Sequence, residues 1–554
     1  MSIQNPRPSF TQLPPEVIAL IVEEDCRGTG PILLPGLQAP QSRIVSLTHI
    51  SRAWREVASS LCRSHWTAYS ITIHPNKTPD QLKTLVALLA NFLANAGPVR
   101  DIHLTFTDLD DIARITLLDI LTRYAPRIAT LALKLSNAGA ISLLYRPALP
   151  FDRLRSLRFI PRATPPPAPV NLNDSDELEL WHTVTGGPLG QTLEVSIFKY
   201  SSCLTEFHFS EAVWHPRFSD GITLRLWDLP LQRLTVLSVT RSWLEDTEVK
   251  AVFQTCVQLV SCRLYCDAAV SFVPPGLPHP PSPPRPLVLP HLRDLAITMR
   301  SMDGYLWDYF TAPNLKQLSI ASLSDDDFHG WDHATFMQFR ARSGFSLTGL
   351  QLHFDFSHHA GNILDLLRTL PALEWCSFHW TTVHGFQLGH DIDIFLQGIA
   401  YDPTHSATNL LFPNLRCLCL DHDDENISLR VLRSRCIEPG SRLEVVRFLV
   451  PRDFKPTGRT AAHIAALRKR PDVRMEVAYM DFLGGELLVE EEQDDSGGRD
   501  DEMDYTDDDE ESSEDEGTRA ALMTEVGEIM DDNAQNASSI EVTADEWTRW
   551  PVAG

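Results

Sequence analysis

Residues 292–297 read LRDLAI and residues 315–320 read LKQLSI, and this six-residue pattern decides the fold. Apolar residues occupy its first, fourth and sixth positions. A short apolar run of this kind predicts a buried strand. The same order recurs along the chain, with copies that begin at Val99, Ile128, Leu154, Leu204, Leu234, Leu259, Leu292, Leu315, Leu347, Leu373, Leu415 and Leu443.

The copies recur at intervals of 23–33 residues, apart from one interval of 50 residues after Leu154 and one of 42 residues after Leu373. A near-constant period of this size is typical of repeat proteins, in which each unit buries its apolar face by stacking on its neighbours. A doubly wound sheet is the alternative, but it needs only about six strands. Twelve copies spread over one long zone favour the repeat array over the doubly wound sheet.

Helical patterns separate some of these strands. One begins at Pro79 and stops at Gly97-Pro98, a second ends at Tyr124, and a third runs from Ile363 to Leu370. Short strands alternating with helices predict parallel strands joined by helical crossovers. The sequence therefore predicts an α/β fold with an irregular solenoid of short parallel strands and helices.

We expect this solenoid to cover residues 78–482. Two proline-rich stretches, near residues 161–178 and 273–286, are predicted to be disordered insertions. The acidic segment after the solenoid gives residues 484–554 the composition of a mostly disordered tail.

Residues 9–70 have the pattern of three short helices. The first follows 13-LPPEVIALIV-22, where proline suits the first helical turn and Glu16 complements the helix dipole. A Gly- and Pro-rich insert, Gly28 to Pro40, precedes the helical run 44-IVSLTHI-50, and Ser51 is the expected N-cap of the third helix. Helices with apolar faces and no room for a large core predict a module that hides apolar surface against a partner.

The net charge of −25 is concentrated in residues 486–516, which hold 18 Asp or Glu and one Arg. Such a balance argues against binding to nucleic acid or to an anionic membrane. Thr506, Ser512 and Ser513 each precede an acidic residue by three positions, which suits an acidophilic kinase, and each phosphate would add negative charge.

No stretch approaches the ~18–20 apolar residues that span a bilayer, and residues 1–10 lack the basic-then-apolar order of a secretory signal. We therefore expect a cytoplasmic or nuclear location and no membrane partner. The ten cysteines fit this expectation. Cys262, Cys376, Cys417 and Cys419 lie within apolar patterns, which predicts buried thiols and no disulfide framework.

Neither a metal site nor a catalytic motif emerges from the sequence. The stretch 325-DDDFH-329, and His353 with His358-His359, lack the spacing of a defined metal site, as do Cys256, Cys262 and Cys266. No phosphate-binding glycine loop and no Gly-x-Ser-x-Gly elbow is found. We expect no catalytic, cofactor-binding or metal-binding residues, although an enzyme with an unrecognised pocket is an alternative.

The N-terminal residues resemble the F-box family. Its motif opens with Leu-Pro-x-Glu and an apolar helix, and it closes with apolar-Ser-Arg-x-Trp-Arg. The matches are 13-LPPEVI-18 and 50-ISRAWR-55, followed by Val57 and Trp66. With the repeats, the chain resembles fungal F-box proteins with degenerate leucine-rich repeats. The insert from Arg27 to Ser42 is longer than the family's usual link, and the repeats lack a regular Asn or Cys ladder.

This resemblance implies a substrate-recognition adaptor that docks on the Skp-type subunit of a cullin–RING ubiquitin ligase and presents an unknown protein target through its repeats. The residues that it assigns to adaptor contact or to packing are Leu13, Pro14, Val17, Ile18, Ile21 and Trp54. The alternative is a non-ligase binding scaffold whose N-terminal helices cap the solenoid. Packing of Ile18 and Ile21 on the first repeats would favour that alternative.

Overall fold

The computed structural model divides into two compact units, residues 1–347 and residues 348–554. The predicted proline-rich insertions and the acidic tail lie outside the described residues, except for the positions that border them. The structure describes residues 13–27, 31–34, 42–72, 78–97, 101–109, 111–135, 148–161, 197–210, 229–267, 286–299, 305–322, 331–354, 359–380, 390–401, 411–421, 427–436, 442–451, 458–470 and 472–480.

The first unit alternates strands with helices and single 3-10 turns. Its helices are α1 (Pro15–Asp25), α2 (Arg43–Thr48), α3 (Arg52–Ser60), α4 (Pro79–Ala96), α5 (Asp111–Tyr124), α6 (Asp246–Thr255), α7 (Tyr305–Asp308) and α8 (His333–Ser343). Its strands are β1 (Ile32–Leu34), β2 (Ala68–Thr72), β3 (Ile102–Leu109), β4 (Ile128–Leu135), β5 (Ser156–Pro161), β6 (Glu206–Ser210), β7 (Val236–Glu245), β8 (Ser261–Asp267), β9 (Leu287–Val288), β10 (Asp294–Met299), β11 (Phe310–Thr311) and β12 (Gln317–Ser322).

The second unit repeats strand and helix more regularly. Its strands are β13 (Gly349–His353), β14 (Trp375–His379), β15 (Cys417–Asp421), β16 (Val445–Pro451) and β17 (Arg474–Met480). Its helices are α9 (Ala360–Arg368), α10 (His390–Ile399), α11 (Ile427–Cys436) and α12 (Gly458–Arg468). The four helices pack side by side in chain order.

Within each unit the strands pair in parallel and follow one another in sequence order. The first unit contains β1 to β8, then β10 and β12, while β9 and β11 pair separately. The second unit contains β13 to β17. A doubly wound sheet would reverse its strand order at a switch point, and neither unit does so. The predicted α/β class with parallel strands is confirmed.

The six-residue pattern sets the register of the strands. Leu295, at a fourth position, pairs with Cys262 on one side and with Leu318 on the other. Ile297, at the sixth position, is buried on the same face, and Leu292, at the first position, is buried in the turn before the strand. Burying each such side chain contributes ~1.5–3 kcal/mol, so three per layer stabilise the stacking of one layer on the next.

The first copy of the pattern was predicted in the wrong register. Ile102 pairs with Ile128 and so occupies the first position, and a bulge then aligns Leu104 with Leu131 and Phe106 with Leu133. Val99 lies outside the described residues. The error arises because apolar residues alternate through β3, and a shift of two positions leaves the same side chains on the same face.

The sequence pattern also misses five strands, β1, β2, β9, β11 and β17. Strand β1 lies inside the Gly- and Pro-rich insert and pairs with β2, with Ile32 opposite Tyr69 and Leu34 opposite Ile71. Its three residues are too few to repeat the pattern, but Ile32 and Leu34 are buried. The insert therefore supplies the first strand of the sheet.

The predicted helix after Pro79 is confirmed as α4, which ends at Ala96 before Gly97. Thr78 caps it, because its hydroxyl accepts a hydrogen bond from the Gln81 N–H while the Gln81 side chain accepts one from the Thr78 N–H. This reciprocal arrangement is a capping box. No helix in the described part of the chain is long and apolar enough to cross a membrane.

Turn side chains link one layer to the next. Asn414 Nδ2 donates to the carbonyl of Pro371 (3.1 Å), and Arg470 Nη2 donates to the carbonyl of Cys436 (2.9 Å). Bonds of the same kind join Asn314 to Pro290, Arg342 to Trp307, Arg127 to Gly97 and Arg233 to Ser202. Arginine and asparagine side chains therefore make the hydrogen bonds between layers that asparagine alone makes in a regular Asn ladder.

Arg435 is the most buried of these linking residues, at 4% exposure. Its Nε donates to the carbonyl of Ile399 (2.6 Å), its Nη1 donates to the carbonyl of Leu411 (3.1 Å), and its guanidinium lies over the Phe412 ring. A buried charge is tolerated only when its donors are satisfied. Arg435 therefore ties α11 to the preceding layer.

We predict that Arg435→Met lowers the free energy of unfolding by about 2–4 kcal/mol, because two buried carbonyls lose a charged donor. The exposed Arg433 of the same helix provides the control, and Arg433→Met should change stability by less than about 0.5 kcal/mol. Chemical denaturation followed by circular dichroism measures both variants. Equal stability of the two would contradict the linking role of Arg435.

Candidate functional site

The N-terminal helices form a module in which α1 packs on α3 and α2. Pro14 and Pro15 set the start of α1. Ser51 caps α3, as predicted, because its Oγ accepts a hydrogen bond from the Trp54 N–H at 3.4 Å. The three helices expected in residues 9–70 are therefore present.

The inner side of this module is sealed. Ile18 is 0% exposed and Trp54 is 3% exposed, and Val22 is buried one turn after Ile18. Trp66 is also buried, and its Nε1–H donates to the carbonyl of Ala58 (2.9 Å). Of the residues assigned to partner contact or packing, Ile18 and Trp54 lie in the internal core.

The outer side of α1 is apolar and open. Leu20 is 71% exposed and Val17 is 39% exposed, Pro14 is exposed, and Ile21 is half-buried. Val17, Leu20 and Ile21 share one helix face, because residues three and four apart are neighbours on a helix. We call Pro14, Val17, Leu20 and Ile21 the outer apolar patch.

Leu13, the remaining residue assigned to partner contact or packing, lies half-buried just before α1. Leu20 was missed by the motif comparison, although its helical spacing from Val17 was readable. Ile50 (46% exposed) and Leu61 (59%) are other exposed apolar side chains of the same module.

Ion pairs hold α1 in place. Arg43 binds Asp25 through two hydrogen bonds, at 2.5 and 3.0 Å, and this bonding lowers the pKa of the Asp25 carboxyl. His65 Nε2 lies 3.0 Å from a Glu23 carboxylate oxygen. Polar contacts on both flanks of α1 therefore fix which side of the helix faces outward.

A groove of roughly 620 Å³ opens where the strands of the first unit begin. Asp101 lines it and pairs with Arg153 (2.8 Å) and Arg155 (3.5 Å). Burial lowers the pKa of the neighbouring His103, and its Nδ1 lies 2.9 Å from Thr130 Oγ1. The groove also contains Ser64, Thr67 and Cys203. The groove offers both hydrogen-bond donors and hydrogen-bond acceptors, so it suits a polar segment of a bound chain.

The strands of the two units differ in how open their helix-free faces are. In β6 and β10, buried residues alternate with half-buried ones. In β15 all five residues are buried. Phe378 of β14 contacts Phe395 of α10 with ring centroids 5.0 Å apart, so the alternate residues of β14 lie on the side away from the helices.

A buried hydrogen-bonded network lies on this second face. Ser377 Oγ is 2.8 Å from His379 Nε2, and His379 Nδ1 is 3.1 Å from Asp421 Oδ1. The Trp380 N–H donates to the other oxygen of Asp421 at 2.8 Å. In a neutral imidazole that donates its Nδ1–H to the carboxylate, the His379 Nε2 accepts from the Ser377 hydroxyl. The order of bonds matches that of a nucleophilic serine site.

Burial argues against catalysis by this network. Ser377 is 5% exposed, His379 is 4% exposed and Asp421 is 0% exposed, so a substrate carbonyl has no path to the Ser377 hydroxyl in this conformation. Each polar group is satisfied by another, which is what burial requires. The network is the polar core of this face.

Metal ligation finds no support where the structure is described. No three His, Cys, Asp or Glu side chains of the described residues are placed to hold an ion. The predicted buried thiols are confirmed at Cys262, Cys376, Cys417 and Cys419. Burial raises the pKa of the Cys417 thiol to about 12, so it stays protonated. The stretch 325-DDDFH-329 lies outside the described residues.

We predict that a fluorophosphonate probe does not label Ser377, because the hydroxyl is enclosed. Wild-type protein and Ser377→Ala should give the same labelling in gel fluorescence and in peptide mass spectrometry. A known serine hydrolase in the same assay controls for probe activity. Labelling of the wild type that disappears in Ser377→Ala would make the network catalytic.

We predict that His353 makes stability depend on pH. Burial, and then His379, lowers the pKa of His353 from 6.5 to about 4. Between these values the unfolded chain binds the extra proton, so stability is complete above pH ~6.5 and falls as the pH decreases, by about 2 kcal/mol between pH 7 and pH 5. Denaturation of His353→Gln should show a smaller loss over this range, and an identical loss would exclude this role.

A comparison with protein-family models found no match to this chain, and a comparison with curated proteins found none either. The functional argument therefore rests on the residues and the geometry described above.

Proposed function

We propose that this chain is a non-catalytic F-box adaptor, which docks on the Skp-type subunit of a cullin–RING ubiquitin ligase and presents a protein target through leucine-rich-repeat-like layers. The observation that carries the proposal is the outer apolar patch, above all Leu20 at 71% exposure. An apolar helix face that a chain leaves uncovered is typical of a protein interaction site.

The division of α1 into two sides supports docking. Ile18 and Val22 complete the module's own core, so the helix is folded before any partner binds. Leu20 (71% exposed) and Val17 (39% exposed) lie outside that core and keep apolar surface that can enter a groove of another protein. A preformed helix loses little entropy on binding, and helix-in-groove recognition uses residues at this spacing.

The alternative is a repeat scaffold in which the same module only caps the solenoid. The pairing of β1 with β2 favours a capping contribution, because it leaves only a three-residue strand at the first edge of the sheet. Capping accounts for the buried Ile32 and Leu34, but it assigns no role to the exposed Leu20. The docking proposal accounts for both sides of the module.

The target would bind on the first unit. Its strands keep half-buried polar side chains on the helix-free face, including Arg158, His208 and Arg263. The groove around Asp101 and Arg153 borders the starts of the same strands. The corresponding face of β14 and β15 is filled by its own network. The mechanism is proximity, since holding a target beside a charged ligase raises its effective concentration.

We predict that Leu20→Asp weakens binding to purified Skp-type adaptor by at least about tenfold, because a charge would enter an apolar contact. Isothermal titration calorimetry measures the affinity. Val17→Asp should behave in the same way, and Leu13→Ala with Pro14→Ala should also lose recovery of the adaptor in a pull-down.

Ile394 provides a matched control, because it is an exposed apolar residue (53%) on helix α10 of the second unit. Ile394→Asp should bind the adaptor like the wild type. Circular dichroism should report the same fold for all variants. Unchanged affinity of Leu20→Asp would remove the docking proposal and leave the scaffold alternative.

A further inference from the structure

Helices α11 and α12 carry a cluster of cations at the end of the second unit. Among the described residues of 427–480, ten side chains are Arg or Lys and three are Asp or Glu. Several of the ten are used internally, such as Arg435 in the layer link and Arg447 in its pair with Glu476. Among the described residues, the exposed arginines without such a use are Arg430, Arg433, Arg459 and Arg468, and the first three are the ones whose charges act on His463.

These three arginines lie on two helices that pack against each other. Arg430 and Arg433 are one turn apart on α11, which packs on α12. His463 lies one turn after Arg459 on α12, and burial and then the charges of Arg433, Arg430 and Arg459 lower its pKa, so all three arginines are close enough to act on it. We call Arg430, Arg433, Arg459 and His463 the basic face.

The basic face is electrostatically uncompensated in the described part of the chain. None of Arg430, Arg433 and Arg459 forms an ion pair or hydrogen bond within the described part of the chain. Arg430 and Arg459 also lie near the N-terminal ends of their helices, where the helix dipole disfavours a cation. Three like charges with no anionic partner in the described part of the chain favour an anionic occupant.

The chain itself contains a matching anion. Residues 486–516 hold 18 Asp or Glu and one Arg, a net charge of −17. They begin six positions after Met480, the last residue of β17. Six residues span at most about 20 Å, and helix α12, with 11 residues, is about 16 Å long. The acidic segment is therefore within reach of the whole helix.

The strand and helix directions place the first turns of α11 and α12 and the end of β17 at the same edge of the sheet. Parallel strands require each crossover helix to run back against the strand direction. The first turns of α11 and α12 therefore lie beside the ends of the strands, and β17 ends at that edge with Met480. Met480, the last described residue before the acidic segment, is therefore on the side where Arg430 and Arg459 lie.

We propose that residues 486–516 dock in cis on the basic face of α11 and α12. The contact is electrostatic and weak for each charge, but a short connection gives the segment an effective concentration in the millimolar range. An external acidic ligand must displace it to reach this surface. Phosphates on Thr506, Ser512 or Ser513 would strengthen the contact. This inference is independent of the adaptor function.

Carbodiimide coupling of the full-length protein tests the contact. In Arg459→Lys the charge is kept and an amine is introduced, which forms an amide with a nearby carboxylate as the reagent leaves as a urea. Lys469, which follows the opposite end of α12, is an internal control in the same molecule. Peptide mass spectrometry identifies the coupled residues.

We expect amides between residue 459 and residues 486–516 in the monomer, at least about fivefold more abundant than at Lys469. They should disappear at about 0.5 M salt, because the Debye length is then only a few ångströms. Arg430→Gln with Arg433→Gln should also reduce them, whereas Arg468→Gln, which removes an exposed charge at the other end of α12, should not.

Three results would overturn the proposal. Absence of coupling at residue 459, or equal coupling at residue 459 and Lys469, would show that the segment does not dock on the basic face. Coupling found only in covalent dimers would assign the surface to a second copy of the chain. Thermal unfolding of Arg459→Lys, expected to match the wild type, excludes misfolding as a cause.

Discussion

The parallel pairing of each short strand with the next is the interaction on which the rest of this structure depends. A strand such as β10 presents Leu295 and Ile297 on one face, and no single layer can cover them. Stacking covers them and brings the turns together, where Arg and Asn side chains satisfy carbonyls of the neighbouring layer. Apolar burial gives the energy, and the polar links fix the alignment.

The same requirement shapes the N-terminal module. The first strand of a stacked sheet has an open edge, and open edges invite unwanted pairing. The insert between α1 and α2 supplies β1 to cover β2, while Ile18 and Trp54 close the helical core. Val17 and Leu20 belong to neither contact, and their exposure is the physical basis of the proposed docking on a partner protein.

Arginine has two opposite roles in helix α11. Arg435 points inward and donates to two carbonyls, so its charge is neutralised by fixed dipoles. Arg430 and Arg433 point to solvent beside Arg459. The amino-acid composition of this helix does not distinguish the buried Arg435 from the exposed Arg430 and Arg433. Only the inward one stabilises the fold, and the outward ones are free to bind an anion.

The sequence by itself determined the α/β class, most strand positions and the three N-terminal helices, because spacing fixes which side chains share a face. It could not determine the short strand β1, the register of Ile102, or the exposure of Leu20. The contact between Asp421 and His379, which lies 42 positions earlier, could not be predicted either. These features depend on which neighbour covers a residue, and that is set only when distant layers stack.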